Sequence, residues 1–277
     1  MFEALGTDMA LLLARGIAVV VTDYQGLGTP GAHTYLQPLP EAHAALDAAR
    51  ATIRLGLIAP QAPIGIWGYS QGGGAAAAAA EQAHDYAPDL NVRASVVGAP
   101  PADPAAVMRN VDGKAFSGII GYFVNGLLAG YPQLAPAIAA TLNAEGLDFI
   151  HRTADQCTFG TIMAESFRPT NGYTRSGQTI IDALEAHPGI RAVLDSFVLG
   201  KTAPSAPVLL IQNTNDDVVP AGQTLAMVDA WRRGGVNITE ANIDSPQLLP
   251  QVGIFGHAAG VPASPTASAW LYDQLTH

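Results

Sequence analysis

The chain has 277 residues, 49% of them apolar and 13% charged, and carries a formal net charge of −10. This composition supports a large buried core and excludes a disordered chain, while the acidic balance disfavours nucleic acid and anionic membrane surfaces as partners. Cys157 is the one cysteine, which excludes an intrachain disulfide and a CxxC zinc site and leaves the redox compartment unreadable.

The opening stretch "MFEALGTDMALLLARG" has acids ahead of its apolar part and no basic region, so it is not expected to be a signal peptide. A helix is predicted over 7–15, ending at Gly16. "GIAVVVTD" (16–23) is a continuous β-branched run, the pattern of a strand covered on both faces. "PEAHAALDAARATIRL" (40–55) has helical spacing, "PIGIWGYS" (63–70) reads as a second strand, and the alanine-rich 74–84 as a helix. "VRASVVGAP" (92–100) is a third strand, stopped by Pro100 and Pro101. The interval 104–200 breaks the rhythm, with helical apolar segments and no buried strand, and is read as a helical cap inserted into a core of 1–103 and 201–277. Its most apolar part, "FSGIIGYFVNGLLAGYPQL" (116–134), is interrupted by Ser117, Asn125 and glycines, so no stable membrane insertion is expected. "PVLLIQN" (207–213) is a fourth strand, 224–233 a helix, "VNITEANI" (236–243) a fifth strand, and "ASAWLYDQL" (267–275) a closing helix. Strands alternating with helices predict an α/β fold with a mostly parallel sheet and helices on both faces.

Gly68-Tyr69-Ser70-Gln71-Gly72 fits G-x-S-x-G between a predicted strand and helix, the setting of a nucleophile elbow, where large residues two before and two after the serine would clash. The other reading is a glycine-rich turn with a capping serine. A serine nucleophile needs a base and an acid that orients it, in the chain order Ser, Asp or Glu, His. Of seven histidines, only His257, in "GIFGHAAG", lies in a glycine-flanked loop between the last predicted strand and the last helix. For the acid, "NTNDDVVP" (213–220) offers Asp216 and its neighbour Asp217 directly after a strand. Asp216 is taken first. Both could instead cap the helix starting near Ala221.

"GYSQGG", "VLLIQNTNDDVVP" and "FGHAAG", with "LLARGIAVVVTDYQGLGTPGAHTY" upstream, resemble the secretory lipase family of α/β-hydrolases, which includes bacterial secreted lipases and the fungal lipase A group. The resemblance implies an α/β-hydrolase core, Ser70 as nucleophile, Asp216 as acid and His257 as base. It also implies secretion, and ester or lipid hydrolysis without a cofactor or metal. The substrates expected are hydrophobic acyl or aryl esters, extending to polyesters if the cap leaves the cleft open. Tyr69 and the cap residues Phe116, Ile119, Ile120, Tyr122, Phe123 and Leu127 are the candidates for lining an acyl site, with ordinary cap core as the other reading. Oligomeric state is not legible.

An ester hydrolase also needs an oxyanion hole. The backbone N–H of Gln71 is one donor. In the family the second comes from a strand and loop ahead of the "LLARG" segment, and no HG-type loop precedes Gly16 here. Two readings stay open. In one the chain is a fragment whose sheet has a gap, a non-catalytic or crippled hydrolase fold lacking the second donor; in the other 16–22 pairs directly with 63–68 and brings a backbone N–H of Tyr24 or Gln25 to the serine. From another class, Gly26, Gly28 and Gly31 match G-x-G-x-x-G with Asp47 downstream, as in a dinucleotide-dependent oxidoreductase, but the glycines are separated from strand and helix alike. Cys157 is read as a small buried residue.

Overall fold

The apolar runs form a parallel sheet in the computed structural model, which describes residues 6–246, 249, 252 and 255–277, with the backbone alone for 262–264. Its strands are β1 (Pro63–Tyr69), β2 (Asn91–Gly98), β3 (Val208–Asn213) and β4 (Ile238–Ile243), paired in that order. Helices α1 (Gly6–Ala14), α2 (Pro38–Arg54) and α3 (Gln71–Tyr86) precede or join the first strands. Between β2 and β3 lie α4 (Pro104–Val111), α5 (Ile119–Gly130), α6 (Ala135–Thr141), α7 (Ala144–Ala154), α8 (Thr158–Glu165), α9 (Ile180–Glu185) and α10 (Pro188–Phe197). The chain then forms α11 (Ala221–Arg233) and, after β4, α12 (Ser264–Thr276).

Side chains alternate across the strands, so each strand feeds two cores. Val97 of β2 with Val208 and Leu210 of β3 meet Leu46 of α2, the alanines of α3 and Trp231 of α11. Ala94, Val96, Leu209 and Ile211 face Leu12 of α1 and Leu271 of α12 on the other side. β3 is buried along its whole length, as a strand covered on both faces must be. Ala75 to Ala80 are all buried; alanine alone keeps α3 thin enough to be enclosed on every side. The helices α4 to α10 build a third core around Met108, Ile120, Phe123, Leu127 and Phe149, which meets the sheet end at Val218 and Val219.

Five strands are expected and four form among the described residues. Residues 16–23 are extended but carry no sheet pairing, so the direct pairing of 16–22 with β1 is not made. Ile17 and Val19 pack beside Trp67 and Tyr69, while Val20 and Val21 stand 52% and 64% exposed. The run has strand composition, but a ladder needs a partner's N–H and C=O groups, and none of the described backbone supplies them. The dinucleotide reading also fails. Gly26, Gly28 and Gly31 have positive φ in successive turns, and the next helix starts only at Pro38, so the glycines do not open a helix whose N-terminus could hold a phosphate.

Candidate active site

Strand β1 delivers its last residue, Tyr69, straight into Ser70, whose backbone is left-handed at φ 58° and ψ −123°. A non-glycine residue in that region is strained and persists only where its surroundings fix it. Here Ser70 N–H donates to Gly98 O at 2.9 Å and Gly74 N–H to Ser70 O at 3.0 Å. The turn is bought with glycines. A methyl on Gly68 would sit 1.8 Å from Gly72 O, and one on Gly73 would sit 1.9 Å from Gly98 O. Gly72 is different: its methyl would meet Tyr24 Oη only at 3.8 Å, an ordinary contact. The position after the serine that sterics close is therefore the third, not the second, because the third crosses over the end of β2. Helix α3 starts at Gln71, three residues earlier than its sequence pattern. That start leaves the N–H groups of its first turn without intrahelical acceptors, at the positive end of the helix and next to Ser70.

The loop after β3 and the loop after β4 converge on this turn. His257 Nε2 lies 2.8 Å from Ser70 Oγ, and His257 Nδ1 lies 2.8 Å from Asp216 Oδ2. A carboxylate only accepts, so Nδ1 carries the proton and Nε2 is the acceptor for the serine hydroxyl. Asp216 is held on its other oxygen, Oδ1, which accepts the N–H groups of Val218 at 2.9 Å and Val219 at 2.8 Å. Asp217 turns away: it is buried under Gly256, where an added methyl would lie 2.4 Å from its Oδ1. The histidine loop is pinned twice more. Tyr69 Oη donates to His257 O at 2.5 Å, and Asn213 Nδ2 donates to Gly256 O at 2.7 Å. Burial, and after it the negative charge of Asp216, pushes the Tyr69 phenol far above its ordinary range, so it remains a donor. Gly253 and Ile254 of the histidine motif lie outside the described residues.

The space beside Ser70 is a cavity of about 20 Å³ lined by Tyr35, Leu36, Pro101, Val107, Ile119, Val218 and Val219 together with Gln71. That holds a water and no acyl chain. Of the apolar side chains singled out on α5, Ile119 reaches this wall. Ile120, Phe123 and Leu127 are fully enclosed in the helical core, and Phe116 packs against it from outside. They face the interior because α5 is apolar on all sides, and periodicity alone cannot say which stripe meets the serine. Tyr122 bonds Gln156 O and Thr161 Oγ1. Tyr69 supports the histidine loop and does not line the cavity wall. Tyr24 stacks on His33 and presents its hydroxyl toward Gly72. The oxyanion role expected of its backbone N–H depends on pairing of 16–22 with β1, and that pairing is not made. Cys157 is exposed at the start of α8, not buried.

Several site residues carry no sequence signal. Asn213 ends β3 and anchors Gly256, Asn110 of α4 donates to the carbonyls of Asp217 and Val218, and the buried Glu41 of α2 touches the side chain of Gln71. Each acts across the fold, 30 to 108 residues from its partner in the chain. Among the described residues no group of His, Cys, Asp and Glu could hold a metal ion, and no helix is long and apolar enough to cross a membrane.

A parallel sheet with a strained serine turn at one strand end and Asp and His loops at two others defines an α/β-hydrolase. The structure superposes on that of Candida antarctica lipase A in its closed state with a TM-score of 0.83, at 20% identity over 96% of this chain and 60% of that one. The secretory lipase family model matches residues 5–277, and the chain belongs to that family. It is 33% identical to a probable inactive lipase of Mycobacterium tuberculosis over 86% of this chain and 54% of that protein. It is 27% identical to lipase A of Arthroderma benhamiae over 95% of this chain and 54% of that one. The chain thus spans about half the length of the curated relatives it matches.

Proposed function

We propose that this chain is a serine carboxylic-ester hydrolase acting on hydrophobic esters. In this reading His257 Nε2 takes the Ser70 proton as Oγ attacks the ester carbonyl, and the tetrahedral intermediate collapses when the imidazolium returns that proton to the leaving alcohol. Water then enters, gives its proton to the same nitrogen and releases the acid from the acyl-enzyme. Asp216 fixes the tautomer and stabilises the imidazolium. The Gln71 N–H, at the head of α3, is the oxyanion donor. The observation that carries this reading is the unbroken contact from Asp216 through His257 to Ser70, 2.8 Å at each step.

Residues 104–200 act as a cap over the serine. Ile119 and Val107 of the cap and Val218 and Val219 of the core line the space beside Ser70, where the ester would bind. Secretion is proposed from membership of the family.

A second reading, a hydrolase fold without turnover, is favoured by the name of the Mycobacterium tuberculosis relative and by the missing pairing of 16–22 with β1, on which the second oxyanion donor expected at Tyr24 or Gln25 depends. Hydrolysis of a p-nitrophenyl ester series from acetate to palmitate, by the wild type and Ser70→Ala, decides between the two. Activity lost in the variant is the result expected. A folded wild type that is inert, and that a fluorophosphonate does not label, overturns the hydrolase reading.

A further inference from the structure

Next to the triad lies a second polar cluster for which the esterase chemistry so far has no use. Glu41, in the first turn of α2, is 1% exposed. Its Oε1 accepts the N–H of Leu36 at 3.0 Å and the side-chain amide of Gln71 at 2.8 Å. The same Gln71 Nε2 lies 2.7 Å from His33 Nε2, and His33 Nδ1 lies 3.0 Å from Gln25 O. A carbonyl only accepts, so His33 carries its proton on Nδ1 and leaves Nε2 bare. The two protons of one primary amide are then both taken, one by Glu41 and one by His33.

We propose that Glu41 and His33 are positioning residues for the ester hydrolysis proposed above, gripping the Gln71 side chain so that the Gln71 N–H stays aimed at the oxyanion. The geometry supplies the reason. Gln71 follows a serine held at φ 58°, and that strained turn relaxes unless the residue after it is fixed. It is also the first residue of α3, where helices fray for want of intrahelical acceptors. Glu41 holds it from α2, and His33 holds it from the loop that carries Tyr24, on which its ring stacks. A donor to an oxyanion acts only if it is in place before the charge develops.

The charge state of Glu41 gives this role a signature. Burial pushes its carboxyl up to about 8, against the smaller opposite effect of the Gln71 and Leu36 hydrogen bonds. The ionisable groups facing it are Tyr24 and Tyr35, both raised by burial and by Glu41 itself, and His33, lowered by burial. None is a cation at neutral pH. Glu41 is therefore mostly neutral at pH 7, and on losing its proton it places an uncompensated buried charge one side chain away from the developing oxyanion. That repulsion slows the reaction.

The test measures kcat and KM from pH 6 to 10 on a p-nitrophenyl ester that the wild type cleaves, with thermal unfolding of each variant alongside. Glu41→Ala and His33→Ala are expected to lower kcat about 10- to 100-fold with KM within about twofold. Glu41→Gln, which still offers an acceptor to Gln71, recovers most of that loss and lacks the alkaline fall in kcat that the wild type shows near pH 8. Should Glu41→Ala not fold, His33→Ala at the half-buried end of the cluster carries the measurement. An active wild type whose His33→Ala or Glu41→Ala variant keeps its kcat overturns the positioning role alone, as does an alkaline fall that persists in Glu41→Gln. A wild type that cleaves no ester overturns the esterase reading and this one with it.

Discussion

Asn213 holds Gly256: its side-chain amide donates to the Gly256 carbonyl at 2.7 Å, while its Oδ1 receives the N–H of Ser245 at 3.2 Å. The last residue of β3 thereby fixes the residue before His257, and both loops that face Ser70 hang from one buried asparagine. Asn213→Ala leaves the Gly256 carbonyl buried without this donor and is expected to cost about 1–3 kcal/mol in stability. Esterase activity at temperatures below unfolding should fall with it, since the imidazole loses its mount. Urea unfolding and ester turnover on one preparation check both. Unchanged turnover would mean that Tyr69 alone places the histidine.

Asp216→Asn keeps the shape of the acid and changes its hydrogen-bond character. Two N–H groups fix Oδ1, so the new amide must point its NH₂ at His257 Nδ1. The imidazole then takes the opposite tautomer, with its proton on Nε2 facing Ser70. A fall in kcat of about 10⁴-fold is expected, with the unfolding midpoint little changed. Asp217→Asn, one residue on and turned under Gly256, should leave kcat far higher than Asp216→Asn does.

Gly72 and Gly73 stand side by side and predict opposite outcomes. Gly72→Ala meets only Tyr24 Oη at 3.8 Å, whereas Gly73→Ala drives a methyl to within 1.9 Å of Gly98 O. Backbone cannot yield as a side-chain tip does, so Gly73→Ala is expected to destabilise by more than about 3 kcal/mol and Gly72→Ala by less than about 1. Thermal melts of the two variants test the contrast directly.

Glu41 links stability to pH. Its carboxyl is raised to about 8 in the folded chain from an ordinary value of 4.5, so between those values the folded state holds a proton that the unfolded state has released. The stability it contributes is full below about 4.5 and is lost as pH rises to about 8. The melting temperature of the wild type should therefore fall relative to that of Glu41→Gln over this window, and the difference should level off above it. Parallel curves for the two proteins would show that Glu41 does not hold its proton there.

Val20 and Val21 present exposed apolar side chains on an extended segment that no described strand pairs with, and β1 is an edge of the described sheet. Such an edge is a template for association. Val20→Lys and Val21→Lys should change stability by no more than about 0.5 kcal/mol and reduce concentration-dependent association in light scattering. Unaltered association would place the sticky surface elsewhere, for example at the exposed Phe159 and Met163 of α8.

Local features of the sequence settled much of this molecule. The run 207–213 becomes a fully buried strand, since a short β-branched and apolar segment between turns has few other places to go. That Gly68 to Gly72 form a tight turn, and that the loops at Asp216 and His257 come within hydrogen-bond distance of one another and of Ser70, follows a pattern in which such a turn and its neighbours leave residue types at fixed places along the chain. Tertiary structure decided the rest. Whether 16–23 pairs depends on a neighbour's backbone, which its own residues cannot reveal; which stripe of α5 meets Ser70 depends on how that helix is rotated in its core. The roles of Asn213 and Glu41 rest on contacts with Gly256 and Gln71 across 43 and 30 residues, and a hydrogen bond between distant residues leaves no periodicity in the chain that makes it.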